Sequence, residues 1–567
     1  MKILSLHVDY IKFKPLKKAL KEPEELTEEN KKEKNIKEAL VILTAVEKTD
    51  EKNPEKAIEL LVKNIKDLAK QVKAENIVLY PYAHLSSNLS SPKTAETVLK
   101  ETESKLKKDF KVSRAPFGYY KEFELKCKGH PLSELSREIK LDSNVNEKEV
   151  DYKNLLKEIS RTRLDTSKLK GNDHRILGQK LDLFSFNEVA PGMVFFHNNG
   201  LIIYNELINF WREEHRKAGY QEISTPQILD KRLWQLSGHW EKYKENIFLT
   251  EYEKRIFAVK PMNCPGGMLI YKASPKSYKD LPMRTGELGT VHRQELSGVL
   301  AGLFRVIKFT QDDAHIFCTE EQLEEELVGV MNLIDKFYKK FGFSYHVELS
   351  TRPEKRIGSD ETWDKTEAVL EKVLKKQKAK YKINNGDGAF YGPKIDFHIK
   401  DSLGRTWQCA TLQLDMSMPE RFELEYTSQN NQQKRPVMLH RTIYGSIERF
   451  IGILLEHTNG QLPTWLSPIQ IKVISFTDRN VKACKEIIKK LKENIPNLRL
   501  DADFKDTTVN NKVREAEIQR VPYILVIGDK EEKAKTLAIR KKGEKPKFGI
   551  KIDKFVEEIK KEIEERV

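Results

Sequence analysis

The sequence predicts a multidomain chain of mixed α/β and α+β class, in which two α/β domains flank a larger middle domain. Strand-like apolar runs alternate with amphipathic helical runs before residue 140 and again after residue 465. Between these regions the pattern changes to polar strands and glycine-containing loops. A chain of 567 residues has room for about four units of roughly 150 residues. Division into only three domains therefore makes the middle one unusually large.

The N-terminal α/β domain is predicted over residues 1–140. Strand-like ILSLHV is followed by a charged stretch over 21–37 and a second apolar run, ALVILTAV. Apolar residues then recur at helical spacing from Ile58 to Val72, followed by the strand-like NIVLYPYAHL and a second helix near 92–109. Residues 141–170 are rich in Asp, Asn and Lys and have little apolar periodicity, so we expect a linker there.

The middle domain is predicted over residues 171–465 and the C-terminal α/β domain over 466–567. Trp, Phe and Gly become more frequent in the middle domain, in strings that are typical of site loops. After LPTWLSPIQ the chain returns to alternation, with IKVISF, a helix around 480–493, the strand-like PYILVIG and an amphipathic C-terminal helix. The C-terminal stretch is therefore expected to form a compact α/β domain.

The charge balance favours a polyanionic partner without proving one. The chain has 101 Lys+Arg against 86 Asp+Glu, a net charge of +15. Nucleic acid or an anionic membrane surface would suit this excess, and so would the charged surface of a heat-adapted protein that binds no anion. Five scattered cysteines without CxxC spacing, and no signal peptide or membrane-length apolar run, predict a cytoplasmic protein with no membrane partner.

A polar strand is predicted over residues 304–317, FRVIKFTQDDAHIF. Alternate side chains of a strand share one face, which presents Arg305, Phe309, Gln311, Asp313 and His315. From Phe309 to His315 this face would span about 20 Å, comparable with a nucleotide joined to a small molecule. The alternative is an ordinary half-exposed strand.

The preceding segment, MRTGELGTVHRQELSGVLAGLF, is predicted to form an antiparallel hairpin with that strand. Arg293 and Glu295 then lie near the turn. An arginine provides a planar donor for phosphate oxygens, and a carboxylate can accept a hydrogen bond from a purine amine. The alternative for these two residues is a surface ion pair.

Five strings of the middle domain closely resemble threonyl-tRNA synthetases, a family of class II aminoacyl-tRNA synthetases. They are KPMNCPGG (260–267), TGELGTVHRQE (285–295), FTQDDAHIFC (309–318), WQCATLQLD (407–415) and PVMLHRTIYGSIERF (436–450). The resemblance implies an antiparallel-sheet catalytic domain that ligates L-threonine to tRNA(Thr) through a threonyl-adenylate. It also implies Mg²⁺ with ATP and a homodimer built around GYQEISTPQIL.

The same resemblance implies roles for five residues at ATP. Arg293 would bind the α-phosphate, and Arg449 would cover the nucleotide from the other side; both would be catalytic. Glu295 would contact the adenine amine, Arg305 the γ-phosphate and Phe309 the adenine ring. The reaction needs positioned cations rather than a protein nucleophile.

One zinc ion per subunit is also implied, held by Cys264, His315 and His440. Their wide separation in the chain fits no metal-binding pattern, and spacing alone favours a buried cysteine and two unrelated histidines. By resemblance, zinc would bind threonine through its amine and hydroxyl and would thereby reject valine, which lacks the hydroxyl. The residues implied to complete the threonine pocket are Gln311, Asp313, Tyr391, Lys394 and Gln413, the last expected on the same strand face as Cys409 and Thr411.

Residues 1–140 resemble the editing domain of archaeal threonyl-tRNA synthetases, which is similar in fold to D-aminoacyl-tRNA deacylases. The matching strings are TDEKNPEKAIE, AENIVLYPYAHLSS and APFGYYKEFELKCKGHPLSELSREI. Serine lacks only one methyl of threonine, which gives about 1–3 kcal/mol of discrimination, so hydrolysis of Ser-tRNA(Thr) is expected. His84, Tyr120, Lys121 and Glu134 would line that site. From the residues alone, core tyrosines, a surface lysine and a turn histidine remain open.

The C-terminal domain resembles the anticodon-binding domain of class II synthetases through NNKVREAEIQRVPYILVIGDKE and TLAIR. Arg520, Glu531 and Arg540 would contact anticodon bases, although an isolated arginine can also be a solvated surface cation. Two alternative functions are left open: a sister class II synthetase for serine, proline or glycine, and a non-catalytic RNA-binding paralogue.

Overall fold

The structure is a computed structural model that describes residues 1–20, 22–28, 30–139, 156 and 169–567. The linker predicted over 141–170 lies almost entirely outside these residues. The chain divides into two compact units, Met1–Lys153 and Asn154–Val567. No helix in the described ranges is long and apolar enough to cross a membrane.

The N-terminal unit is an α/β fold on one mixed sheet. Its elements are β1 Lys2–Lys18, β2 Lys34–Ala45, α1 Pro54–Val72, β3 Asn76–Pro81, α2 Pro92–Leu106, β4 Lys111–Arg114, β5 Tyr119–Cys127 and β6 Glu134–Glu138. The strand order is β4-β3-β2-β1-β5, with β6 also paired to β1. The side chain of Asn53 caps α1, and the predicted apolar stripe, including Ile58, Leu61 and Ile65, is buried in the core.

The second unit contains the middle and C-terminal regions of the sequence. The helices of the middle region are α3 His174–Lys180, α4 Asn198–Lys217, α5 Lys231–Leu236, α6 His239–Tyr243, α7 Cys264–Lys272, α8 Leu323–Lys340, α9 Asp360–Lys376, α10 Ser417–Arg421 and α11 Ile447–Thr458. Its strands are β7 Phe184–Ser185, β8 Phe195–Phe196, β9 Gln221–Glu222, β10 Ile228–Asp230, β11 Leu249–Tyr252, β12 Arg255–Val259, β13 Met283–His292, β14 Lys308–Cys318, β15 Ser344–Ser350, β16 Tyr381–Asn384, β17 Lys394–Lys400, β18 Thr406–Asp415, β19 Tyr426–Thr427, β20 Gln433–Lys434 and β21 Val437–Thr442.

An eight-stranded sheet organises this region, in the order β16-β15-β17-β18-β21-β14-β13-β9. All neighbours are antiparallel except the outermost pairs, β15 with β16 and β13 with β9. Apolar side chains of the central strands and of α4, α8, α9 and α11 share one core cluster. One face of the sheet is therefore buried under helices, and the alternate residues form the opposite face.

The predicted hairpin is present as β13 and β14, with Val291 opposite Phe309. The predicted strand starts too early, however, because β14 begins at Lys308. The Arg305 carbonyl accepts a hydrogen bond from the Ala301 amide and so closes a turn before the strand. Arg305 therefore precedes the strand face on which it was placed.

One further departure concerns β18, where Cys409 was expected to share a face with Thr411 and Gln413. His398 pairs with Gln408 while the adjacent Phe397 pairs with Ala410, so Cys409 is the extra residue of a bulge. Cys409 belongs to the apolar core cluster instead.

The C-terminal region forms a separate five-stranded sheet within the second unit. Its elements are β22 Ile471–Ser475, α12 Val481–Asn494, β23 Leu500–Asp503, α13 Val509–Ile518, β24 Tyr523–Ile527, α14 Asp529–Ala534, β25 Thr536–Lys541, β26 Lys547–Lys551 and α15 Ile552–Glu564. The order is β23-β22-β24-β25-β26, with β22 parallel to both neighbours. Arg499 joins this region to the middle one, since its Nη1 lies 2.9 Å from Glu206 Oε1 on α4.

Candidate functional site

A row of polar side chains crosses the open face of the eight-stranded sheet, one from each of four neighbouring strands. His315 of β14 is paired with His440 of β21, His440 with Gln413 of β18, and Gln413 with Lys394 of β17. Directly opposed residues of antiparallel strands have Cα atoms about 4.5–5.5 Å apart. Register therefore brings together residues that lie far apart in the sequence.

Two of the three predicted zinc ligands, His315 and His440, lie side by side in this row, and Cys264 begins the helix that packs against His315. The rings of His315 and His440 are 5.0 Å apart and nearly perpendicular. Cys264 begins α7 and is buried. The same helix packs against the histidine, since a Cβ on Gly267 would lie 3.2 Å from His315 Nδ1.

The donor set fits a zinc ion. His315 Nε2 is buried without a hydrogen-bond partner among the described residues, a state that costs about 1–3 kcal/mol. His440 donates from Nε2 to Asp415 Oδ2 at 2.9 Å, which leaves its Nδ1 lone pair available. A zinc-binding imidazole commonly donates its other ring N–H to a carboxylate in this way. Two imidazoles and a thiolate leave the fourth position of a tetrahedral ion open.

The environment of Cys264 disfavours a free thiolate. Burial raises its pKa well above the usual value, and the charges of Asp313 and Asp415 act in the same direction. His239 lies next to it, with Nε2 3.9 Å from the sulfur. A metal ion would reverse this preference, because a coordinating thiol is deprotonated.

Three of the predicted threonine residues lie beside the proposed zinc ligands: Asp313, Tyr391 and Gln413. Asp313 Oδ2 accepts a hydrogen bond from Asn263 Nδ2 at 3.1 Å, and the Tyr391 ring packs against His440 at 5.2 Å. Gln413 donates to the Gly392 carbonyl at 3.1 Å, which fixes its amide. The remaining two are placed as follows: Lys394 pairs with Asp396 at 2.8 Å, and Gln311 forms a bridge with Ser446.

Three residues of this site were not identified from the sequence: Asp415, Asn263 and His239. Asp415 continues the alternation of Thr411 and Gln413 along β18, so the pattern did carry a signal for it. Asn263 precedes Cys264 in KPMNCPGG, and its role depends on contact with β14, which the local sequence does not reveal. His239 lies in SGHWEKY and is brought to Cys264 by tertiary packing alone.

The predicted nucleotide residues lie beside the hairpin. The Arg293 guanidinium lies 5.1 Å from the centre of the Phe309 ring, and its Nε donates to the Pro261 carbonyl at 3.2 Å. Arg305 pairs with Glu295 at 2.9 Å. The ion pair considered for Glu295 therefore exists, with Arg305 as its partner rather than Arg293.

Arg449 is positioned by the start of α11. Its guanidinium lies 5.9 Å from the Trp407 ring, and its buried Nε has no hydrogen-bond partner within the described residues. The turn before α11 is fixed by Asp312, whose carboxylate accepts hydrogen bonds at 2.8–3.0 Å from three successive amides, those of Ile443, Tyr444 and Gly445. The unpaired donor of Arg449 is thus held in place by a tightly bonded turn.

The N-terminal unit contains a separate cavity of about 500 Å³. His84, Tyr120 and Lys121 line it together with Tyr80. Lys121 Nζ donates to the carbonyls of Tyr119 and Pro116 at 2.8 and 3.0 Å, and burial lowers its pKa to about 8. Glu134 lies elsewhere, on β6 opposite Leu6, and is not among the residues that line the cavity.

The predicted anticodon residues are divided between two places. Arg520 and Arg540 line one cleft of the C-terminal region. Glu531 lies on α14, where its carboxylate accepts the Gly528 amide at 3.0 Å and caps the helix. The structure therefore brings the two arginines together and gives Glu531 a local structural contact.

Three family models match the chain in succession. Residues 1–139 match the archaea-specific editing domain of threonyl-tRNA synthetase, and residues 248–458 match the class II tRNA synthetase core domain of the G, H, P, S and T type. Residues 468–562 match an anticodon-binding domain.

Comparisons with curated relatives agree with these matches. A threonine–tRNA ligase of Clostridium botulinum (strain 657 / Type Ba4) is 56% identical over 394 residues, which are 70% of this chain. That of Desulfatibacillum aliphaticivorans is 55% identical over 397 residues, again 70% of this chain. The alignments span 62% of the length of each of these two curated relatives.

A solved structure is also similar: the RNA binding domain of threonyl-tRNA synthetase from Cryptosporidium parvum Iowa II. It is 40% identical, with a TM-score of 0.67. The match covers 69% of this chain and 98% of that one.

Proposed function

The chain belongs to the threonyl-tRNA synthetase family, and we propose that it catalyses the ATP-dependent ligation of L-threonine to tRNA(Thr). The observation that carries the proposal is the row from His315 to Lys394. Buried Cys264 lies on the helix that packs against the His315 end of this row. This row combines metal donors, an amide and a cation on one open sheet face, beside an arginine stacked on an aromatic ring. Such a site suits a small amino acid next to a nucleotide.

In the first step a threonine carboxylate oxygen attacks the α-phosphorus of ATP, and pyrophosphate leaves with the electrons of the broken P–O bond. Arg293 and Arg449 would neutralise the charge that develops on the phosphate oxygens, the role that positioned cations serve in phosphoryl chemistry. Phe309 would stack on adenine, with Glu295 at its amine and Arg305 at the γ-phosphate. The Glu295–Arg305 pair would have to separate for both contacts to form. ATP would bring Mg²⁺ with it.

Threonine would be recognised by Gln311, Asp313, Tyr391, Lys394 and Gln413. Asp313 carries the charge that the ammonium group requires, and Asn263 holds this carboxylate in place. Cys264, His315 and His440 would hold one zinc ion per subunit, which would offer a Lewis-acid contact to the amine and hydroxyl of threonine that valine cannot complete. The closed packing around Tyr391 and His440 would exclude larger side chains.

The N-terminal cavity would hydrolyse Ser-tRNA(Thr). His84, Tyr120 and Lys121 line a space large enough for a terminal nucleoside bearing an amino acid. Lys121, which points its ammonium group at backbone carbonyls, would stabilise charge on the ester carbonyl or select between serine and threonine. Glu134 was also expected to take part, and no contact with the cavity supports that role.

The domain limits, the partners and the location are part of the same proposal. Residues 1–140 would edit, 141–170 would link, 171–465 would catalyse and 466–567 would bind the anticodon, through Arg520 and Arg540 with Glu531 nearby. The excess of cations suits a tRNA partner. The enzyme would act as a cytoplasmic homodimer.

ATP–pyrophosphate exchange with threonine, serine and valine tests the proposal. We expect exchange with threonine, weaker exchange with serine and none above background with valine. Cys264→Ala should abolish threonine-dependent exchange. Cys484→Ala removes a buried thiol from the C-terminal core and serves as the matched control, so it should retain exchange.

Two outcomes would refute the proposal. Exchange that serine or proline supports better than threonine would indicate a sister synthetase. A folded protein that binds tRNA and exchanges with no amino acid would indicate the non-catalytic paralogue.

A further inference from the structure

A second group of metal-ligating side chains lies on the same sheet face, away from Cys264. It consists of His346 and Glu348 on β15 and His398 on β17. His398 is four residues along β17 from Lys394, or about 13 Å at roughly 3.3 Å per residue. Of the proposed zinc ligands of the threonine site, His440 and His315 lie two and three strands away from β17 across the sheet. We call His346, Glu348 and His398 the edge triad.

The strand register builds the edge triad directly. His346 is paired with His398 across the antiparallel strands, and their rings stack 4.9 Å apart at 12°. Glu348 follows His346 by two residues and therefore projects from the same face. His346 Nε2 lies 3.4 Å from Glu348 Oε1, and His398 Nε2 lies 3.5 Å from Glu348 Oε2.

We propose that the edge triad binds one divalent transition-metal ion of the zinc class. The three ligand atoms lie within 4.8 Å of one another. In a tetrahedral zinc site with bonds near 2.0–2.1 Å, neighbouring ligand atoms are separated by about 3.4 Å. Each imidazole Nε2 lies near this spacing from a different oxygen of Glu348, so binding requires side-chain rotations that bring both nitrogens and one carboxylate oxygen around a single ion.

The surroundings of the edge triad suit a metal ion. Asn384 Nδ2 donates to Glu348 Oε2 at 3.2 Å and orients the carboxylate from behind. Two imidazoles and one carboxylate suit zinc better than magnesium or calcium.

The edge triad is also open to a metal ion from solvent. The side chains of His346, Glu348 and His398 are 41%, 20% and 20% exposed. Water can therefore complete the coordination shell. The negative charge of Glu348 is balanced by the ion, and the neighbouring Asp396 is already paired with Lys394.

Another group of potential metal ligands does not meet these conditions. Asp173, His174 and Glu456 also place their ligand atoms close together. Both nitrogens of His174 are already used, however: Nδ1 lies 2.6 Å from Glu456 Oε1, and Nε2 accepts the Leu303 amide at 2.9 Å. No lone pair is left for an ion, so this group is a structural link.

Equilibrium dialysis of the full chain against micromolar Zn²⁺, followed by elemental analysis, tests the proposal. His346→Gln and His398→Gln should each bind one zinc ion per chain fewer than wild type under conditions that saturate it. Loss of a direct ligand should weaken binding by more than the roughly 10–100-fold that loss of an outer partner costs. Glu348→Gln should weaken it in the same way.

His197→Gln is the matched control. His197 contacts a carboxylate, with Nδ1 2.6 Å from Asp182 Oδ1, but it belongs to no group of three close ligands in the described part of the chain. Its zinc content should equal that of wild type. Equal zinc content in wild type, His346→Gln and His398→Gln would overturn the proposal and identify the edge triad as an ion-pair cluster.

Cobalt spectroscopy shows whether the variants remain folded. Co²⁺ bound through Cys264 gives sulfur-to-metal absorption, whereas the edge triad contains no sulfur. His398→Gln should retain this band while it loses one equivalent of cobalt. Loss of the band together with both cobalt equivalents would mean that the variant had unfolded. The number of cobalt ions bound by Glu348→Gln would then test the proposal.

Discussion

Asp415 connects the backbone of one helix to an imidazole of the candidate zinc site. Its Oδ1 accepts the amides of Ser417 and Met418 at 2.8 and 2.9 Å, while Oδ2 faces His440 Nε2. The helix start therefore fixes the carboxylate, and the carboxylate fixes the tautomer of His440. Negative charge at this position makes His440 a stronger ligand.

Asp415→Asn should weaken zinc binding by roughly 10–100-fold, because the amide keeps the backbone contacts and removes the charge. Zinc retention during dialysis against a graded series of chelator concentrations measures this. Asp503→Asn is the control, since Asp503 is a buried carboxylate that accepts the Lys505 amide in the C-terminal sheet. Equal zinc retention in the two variants would show that Asp415 only braces α10.

Lys121 gives the N-terminal cavity a predicted pH dependence. Its pKa of about 8 means that the ammonium form is present below that pH and is lost above it. If the cation stabilises charge during ester hydrolysis, Ser-tRNA hydrolysis by wild type should fall relative to Lys121→Arg as the pH rises from about 7 to 9. Arginine stays charged over this range.

The measurement is the ratio of the two hydrolysis rates at each pH, which cancels the increase in free hydroxide. Thr-tRNA provides the comparison substrate. A ratio that does not change over this pH range would show that the charge of Lys121 has no role in hydrolysis.

At the scale of single elements, close packing of β13 against the start of α7 positions the proposed threonine site. A Cβ on Gly289 would lie 2.2–2.4 Å from the amide atoms of Asn263, so only glycine allows this approach. Asn263 in turn donates to Asp313. A small residue on one strand thus determines where the carboxylate on its neighbour can bind an ammonium group.

Gly289→Ala should raise the KM for threonine by on the order of 10–100-fold, which corresponds to the loss of a hydrogen bond to a charged group. The KM for ATP should change much less. Gly329→Ala is the matched control, because its Cβ would meet nothing within 4 Å on α8. If both variants kept wild-type KM values for threonine, the contact between Gly289 and Asn263 would have no role in binding.

Strand alternation was enough to place Phe309, Gln311, Asp313 and His315 on one face, because the period of two is a local property. The pairing of His315 with His440 is not local, since it depends on which strands become neighbours. Only the family resemblance connected those residues before the structure did. Arg305 was misplaced because its turn is closed by a contact with Ala301 that the apolar pattern does not encode.

On the scale of the whole second unit, Arg499 links the C-terminal sheet to the larger domain. Beside its ion pair with Glu206, its Nη2 donates to the Trp465 carbonyl at 2.5 Å and its Nε to the Ser467 carbonyl at 2.9 Å. These contacts join α4, the connecting segment and β23. Together with contacts such as Arg566 with Glu213, Arg499 therefore holds the C-terminal sheet against the middle region.

Arg499→Ala should raise the KM for tRNA by on the order of tenfold, or about 1.4 kcal/mol, and leave ATP–pyrophosphate exchange near the wild-type rate. A looser contact between the two domains should weaken the binding of tRNA, which would touch both. It should spare ATP–pyrophosphate exchange, which needs only the catalytic domain. Arg479→Ala is the control, because Arg479 is 78% exposed and pairs with Asp529 inside the C-terminal region. A parallel loss of exchange would mean that Arg499 supports the active site itself.

The polar row across the sheet also limits how the gene can change in length. Each member comes from a different strand, and side chains alternate with a period of two, so deletion of a single codon within β14 would turn the site residues on one side of the deletion toward the buried face. An insertion in a loop between strands leaves every pairing intact. Natural insertions and deletions should therefore accumulate between the strands, while the strands themselves change only by substitution.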